Sequence, residues 1–212
     1  MEKTNYDKKM LEQIEGMEGR PRLLLHSCCG PCSTAVIERV AEHFDVTVFY
    51  YNPNIDDEEE YELRKYNQMK YIRKRYGEEG PVKFLEGEYD PGRFLEGTEG
   101  HEEDPEGGER CRLCFALRLS ETAHNAKELG FDYFTTTLTV SPMKDPQTIN
   151  PLGEAIGRAY GVEYLFSDFK KKGGYQRSIE LSRKYGLYRQ HFCGCRFSKP
   201  RDPENDEALT QP

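Results

Sequence analysis

The chain has 212 residues, of which 36% are hydrophobic and 12% aromatic, enough to enclose one sizeable core rather than remain disordered. Residues 1–20 are charged throughout and no later stretch approaches the length of a bilayer span, which excludes a membrane protein and sets the expectation of a cytoplasmic one. The net charge of −8 speaks against nucleic acid only on average: from Glu86 to Arg110 ten acidic residues face Arg93 and Arg110 alone, whereas from Phe166 to Arg201 ten lysines and arginines face Asp168 and Glu180 alone.

Arg22 to His26 is a short apolar run bounded by Pro21 and a Cys-Gly-Pro segment, the pattern of a buried strand. A helix is predicted from Ser33 to His43, with Ser33 or Thr34 as its N-cap. Val46 to Tyr50 predicts a second strand, closed by Tyr51-Asn52-Pro53-Asn54. Asp56 to Tyr76 predicts a long helix whose acidic start suits its dipole. Val82 to Leu85 predicts a third strand. Residues 87–108, rich in Gly, Glu, Asp and Pro, read as an acidic loop or lid. From Cys111 to Leu129 helical periodicity returns, with Phe115, Leu119, Ala123 and Ala126 on one face and both cysteines in the first turn. Phe131 to Thr137 predicts a strand, Pro146 to Tyr160 a helix opened by proline, Val162 to Phe166 a strand, and Tyr175 to Tyr185 a basic helix.

Five strands interleaved with helices predict an α/β fold: a Rossmann-like, doubly wound, mostly parallel sheet with helices on both faces, forming one domain over residues 1–200 with a tail at 201–212. Ligands of such sheets collect at the strand carboxyl ends. The cysteine loop 28–32 and the segments 137–145 and 167–174 all follow strands, so they are expected around one crevice.

All seven cysteines fall into three groups: Cys28-Cys29-x-x-Cys32, Cys111-x-x-Cys114 and Cys193-x-Cys195. In a reducing cytosol such grouping points to a metal or redox centre rather than to structural disulfides. The vicinal pair and the C-x-x-C pair together supply four thiolates, enough for a structural zinc or an iron–sulfur cubane. Neighbouring side chains diverge, which suits ligation at different irons of a cluster better than at one ion. Cys193 and Cys195, separated by one glycine and flanked by Arg189, His191 and Arg196, read as a redox pair or as two further ligands. Cys32 is left over, either for a second, mononuclear metal beside an acidic group such as Asp168 or as an unligated thiol at a helix start. His26, ending the first strand, is a neighbour of the centre or a packed core residue. In the basic third, Lys170, Lys171, Lys172, Arg177 and Arg183 among exposed aromatics form a candidate phosphate-binding face for RNA, the alternative being a solvated cationic surface.

These blocks, from His26-Ser27-Cys28-Cys29-Gly30-Pro31-Cys32 through Arg110-Cys111-Arg112-Leu113-Cys114, Thr136-Thr137-Leu138-Thr139 and Asp168-Phe169-Lys170-Lys171 to Tyr188-Arg189-Gln190-His191-Phe192-Cys193-Gly194-Cys195, resemble in order those of QueH-type epoxyqueuosine reductases. The resemblance implies an oxidoreductase that converts epoxyqueuosine to queuosine in tRNA. It also implies a four-iron, four-sulfur cluster on Cys28, Cys29, Cys111 and Cys114, and a redox-active pair at Cys193 and Cys195. Removing an epoxide oxygen consumes two electrons and two protons. The partners expected are therefore the tRNA anticodon loop and an electron donor, a second iron ion is a candidate cofactor, and Lys144, Tyr188 and His191 are candidate proton donors. Two other classes stay open on the residues alone: a zinc-stabilised RNA-binding module, and an ATP-dependent tRNA thiolation-type enzyme, whose phosphate loop is poorly matched where Cys28 and Cys29 stand.

Overall fold

All five predicted strands pair, and every pairing is parallel, as expected where helical crossovers join them. The computed structural model describes residues 3–199, so the predicted tail at 201–212 lies outside the described residues. β1 (Arg22–Ser27), β2 (Asp45–Tyr50), β3 (Lys83–Glu86), β4 (Tyr133–Thr136) and β5 (Glu163–Tyr164) lie in the order β3-β2-β1-β4-β5. The chain winds outward from β1 to β3 and returns to place β4 on the other side of β1. The topological switch point therefore lies between β1 and β4, where His26 pairs with Thr136.

The strands separate two layers of helices. Leu23 and Leu25 of β1 point to the face covered by α1 (Tyr6–Glu15), α2 (Gly30–Val40), α3 (Glu58–Tyr76) and α7 (Gly174–Tyr185), through Met10, Ile37, Tyr71 and their neighbours. Leu24 points to the other face, covered by α5 (Glu109–Glu128) and α6 (Pro146–Tyr160) through Phe115, Leu119, Ala126 and Ile149. This is the Rossmann-like arrangement read from the sequence.

Four local expectations are corrected. α2 starts three residues before Ser33, with Cys29 at its cap position, because Pro31 sits in the first turn where its missing N–H is no loss. The Ser33 and Thr34 hydroxyls donate instead to the carbonyls of Gly30 and Pro31. α5 likewise begins two residues before Cys111, so Cys114 occupies its second turn. Within residues 87–108 a further helix forms, α4 (Pro91–Gly97), capped by Asp90 and anchored by buried Phe94. Finally α1, in the stretch read only as charged, is capped by Asn5 and buries Tyr6 and Met10. Its apolar stripe is too sparse to stand out among so many charges.

α6 crosses β5 with no room to spare. A Cβ on Gly153 would lie 2.4 Å from the Tyr164 ring, itself 3% exposed. Gly153→Ala is expected to destabilise the protein by about 1–3 kcal/mol, the range for overpacking. Urea denaturation checks this, as a lower midpoint at an unchanged slope.

Candidate active site

The switch point brings the first cysteine group to the crevice directly. β1 ends at Ser27, and the Cys28 amide N–H donates to Thr137 Oγ1 (3.3 Å), just past the end of β4. The Thr137 hydroxyl is 3.7 Å from Cys28 Sγ. The sulfurs of Cys28, Cys29 and Cys32 all lie within 4.8 Å of one another, so this trio could hold a metal ion. Gln190 Nε2 donates to Cys29 Sγ at 2.8 Å. The three thiols share protons: hydrogen bonds from Cys29 and Cys32 hold Cys28 well below the usual thiol range, burial pushes Cys29 up to about 12, and Cys32 is raised chiefly by its bond to Cys28. Cys28 is thus the thiolate of the trio.

The other groups reach the same place from different elements. Cys111, like Cys28, packs against the apolar cluster on the α5 side of the sheet, and its sulfur accepts the Gly107 N–H at 3.3 Å. Cys114, one turn on, is buried against Phe94 and Cys195. Burial raises its thiol to about 11, opposed by Arg118. Cys193 Sγ lies 3.5 Å from Lys144 Nζ, which also reaches Glu106 at 3.3 Å. A hydrogen bond from Cys195, followed by the Lys144 and Arg118 charges, lowers Cys193 to about 5 against the opposing effect of burial, while Cys195 is held protonated chiefly by that same bond. A cavity of about 380 Å³ opens here, lined by Cys28, Cys32, Arg118, Lys144, His191 and Cys193 among others.

Not every sequence candidate is brought in. The Tyr188 hydroxyl donates to Glu60 at 3.1 Å, and Tyr188 does not line the cavity. Asp168 stands outside the cysteine trio: its carboxylate meets Lys170 at 3.2 Å, because the chain after β5 turns that lysine inward onto the carbonyls of Thr139 and Lys144. Lys170 is therefore a structural cation and not a surface one. Arg177 is paired with Glu38 and Glu180, and Lys172 lies 3.9 Å from Asp7. Lys171 and Arg183 remain exposed, with no ion pair among the described residues.

Two buried arginines, Arg64 and Arg118, organise the site and were absent from the sequence reading. Arg64 of α3 is paired with Glu60, donates to the carbonyls of Cys193 (2.9 Å) and Phe192 (3.4 Å), and lies over the Phe192 ring. It clamps the Cys193 loop, where Gly194 has φ +114° and a Cβ would fall 2.8 Å from Ile55. Arg118 of α5 donates through NH2 to Asn52 Oδ1 (2.6 Å) and through Nε to His26 Nε2 (3.2 Å). His26 Nδ1 lies 2.8 Å from Thr136 Oγ1, and its Nε2, besides facing Arg118, lies 3.1 Å from the Tyr51 carbonyl oxygen. Burial, then Arg118, lowers His26 to about 3, so this histidine is a neutral orienter and not a proton source. Arg118 was legible in principle: it follows Cys111 by seven and Cys114 by four, on the same helical stripe.

Burial works against the Lys144 charge, but Cys193, Cys111 and Glu106 outweigh it and hold the ammonium protonated. Lys144→Met is expected to raise the Cys193 thiol from about 5 toward its ordinary range. In the reduced, metal-free protein the midpoint of its alkylation against pH should move up, and an unmoved midpoint would show that Cys195 alone sets it.

A family model described as "Epoxyqueuosine reductase QueH" matches residues 23–201. Curated proteins of that name resemble the chain over most of its length. The Streptococcus pyogenes protein is 44% identical, over 93% of this chain and 79% of its own; that of Staphylococcus epidermidis is 43% identical over 93% and 85%; that of Thermotoga maritima is 35% identical over 83% and 89%.

Proposed function

The chain belongs to the epoxyqueuosine reductase QueH family, and on that footing we propose that it reductively removes the epoxide oxygen of epoxyqueuosine in tRNA at the cysteine-lined cavity. The observation that carries this reading is one cavity lined by Cys28, Cys32 and Cys193 together with the buried cations Arg118 and Lys144, with Cys114 Sγ 4.0 Å from the Arg118 guanidinium. No helix among the described residues is long and apolar enough to cross a membrane.

The donor set fits an iron–sulfur cluster. Soft thiolates facing a buried guanidinium are what an anionic metal–sulfur group needs, and Cys28, Cys29, Cys111 and Cys114 would hold it. The sulfurs of Cys28, Cys29 and Cys32 lie within 4.8 Å of one another, close enough to meet at one ion, and this favours Cys32 as ligand to a second, mononuclear iron. A bound cluster supplies a Lewis-acidic iron and an electron relay.

The chain's own groups supply the rest. Lys144, held protonated and only 8% exposed, can deliver a proton to an oxygen in the cavity, with exposed His191 at the rim as a second donor. Both C–O bonds of the epoxide break, an alkene forms and the oxygen leaves as water. Oxidation of the Cys193 thiolate and the Cys195 thiol to a disulfide provides the two electrons and one proton, Lys144 provides the second proton, and an external dithiol or electron-transfer protein restores the pair.

The test is anaerobic incubation of the iron-loaded protein with epoxyqueuosine-containing tRNA and a reductant. The expected product nucleoside has lost one oxygen atom. An unchanged nucleoside from a protein replete in iron and sulfide overturns the reading, and a colourless protein with stoichiometric zinc supports the RNA-binding module instead. Binding of the tRNA is expected to weaken steeply with salt. Loss of Lys171 and Arg183 together should lower the slope of log K against log salt by about one per lost phosphate contact.

A further inference from the structure

Arg118 differs from the other buried cations of the site in having no carboxylate partner among the described residues. Its side chain is 1% exposed, yet no carboxylate lies within 4.0 Å of it among the described residues. The other buried cations of the site do have one: Arg64 has Glu60 and Lys144 has Glu106. The groups around Arg118 are the neutral Asn52 and His26 side chains and, through NH1, the Cys114 sulfur at 4.0 Å. A buried, uncompensated guanidinium costs several kcal/mol, and a glutamine could meet Asn52 and His26 without that penalty. The negative groups that face it are sulfurs: Cys114 at 4.0 Å and the Cys28 and Cys193 thiolates of the same cavity wall, which help to hold it charged.

We propose that Arg118 is the fixed counter-charge of the metal–thiolate centre and sets its reduction potential, with Asn52 and His26 holding the guanidinium in register with Cys114. The inference rests on the cluster reading above and adds a positioning residue to it. A positive charge fixed beside a cluster favours the reduced, more negative form, so its removal makes reduction harder. Asn52 orients the cation through Oδ1 while its Nδ2 donates to the Ser27 carbonyl at the end of β1, so the charge is tied to the strand that leads into Cys28.

The experiment compares anaerobically purified wild-type protein with Arg118→Gln, Arg118→Lys and Asn52→Asp, measuring iron and sulfide content and the midpoint potential by spectroelectrochemical titration. Arg118→Gln is expected to make one-electron reduction at least tenfold less favourable, about 59 mV more negative. Asn52→Asp, which leaves the arginine in place but neutralises it, should shift the potential in the same direction. Arg118→Lys should stay near wild type. Should Arg118→Gln fail to fold or to load iron, Asn52→Asp and Arg118→Lys decide: a lower potential in the first with a near-native one in the second supports the inference, and equal potentials overturn it. A wild-type protein without iron or sulfide overturns the cluster reading and this inference together, whereas a cluster-bearing wild type with an unshifted Arg118→Gln overturns this inference alone.

Discussion

Cys111→Ala is expected to abolish both the brown chromophore and the reaction. Cys111 lies in the first turn of α5, its sulfur accepts the Gly107 N–H, and it packs against the same apolar cluster as Cys28. No other cysteine on that side of the crevice can replace it: Cys114 is turned toward Phe94 and Arg118, and Cys195 packs beside Cys114. The loss should exceed the roughly 10–100-fold that follows from damage to residues around metal ligands, because a ligand itself is removed. Iron and acid-labile sulfide per chain, measured beside turnover, are the check. An active, colourless variant would take the cluster out of the mechanism. Cys32→Ala serves as the contrast, since its thiol belongs only to the compact trio, and it should retain the cluster chromophore.

Cys193→Ser and Cys195→Ser are each expected to stop multiple turnover while leaving iron content at the wild-type level. The two thiols are not equivalent. Cys193 is the thiolate, lowered to about 5 by its bond from Cys195 and by Lys144, whereas Cys195 is buried against Phe94 and Cys114 and stays protonated. For a thiol whose value is lowered, the reactive thiolate is present above the shifted value and is lost as pH falls through it. Alkylation of the reduced, metal-free protein should therefore label Cys193 well before Cys195, at a rate level across neutral pH and declining only near pH 5. Undiminished multiple turnover in either serine variant would retire the redox pair.

Much of this was legible along the chain. Strands such as Arg22–Ser27 and Asp45–Tyr50, buried on both faces, appear as apolar runs whatever surrounds them, and Pro146 marks the start of its helix to the residue. Helix starts near Cys29 and Cys111 were read late because the cap residues Cys29 and Gly108 make no side-chain capping bond and the start signal of Pro31 falls within the cysteine loop. The helix at Pro91–Gly97 was hidden by acidic composition although a single buried residue, Phe94, anchors it. β5 was read as five residues and pairs over two, because pairing depends on a neighbour and not on propensity.

The site divides along the same line. Thiol chemistry is a property of residue type and local spacing, so the sequence by itself determined a parallel α/β sheet, a cationic third and cysteine groups of the kind that could hold a metal. Which cations serve the centre was decided only by the tertiary structure. Lys170 and Arg177 are satisfied by local acceptors and acids, whereas Arg64, Arg118 and Lys144, drawn from three separate elements, are carried into the cavity wall. The reason is that a charge's role depends on what lies within a few ångströms of it after folding. Order along a polypeptide does not specify those neighbours until β4 returns beside β1 and α5 closes over the crevice.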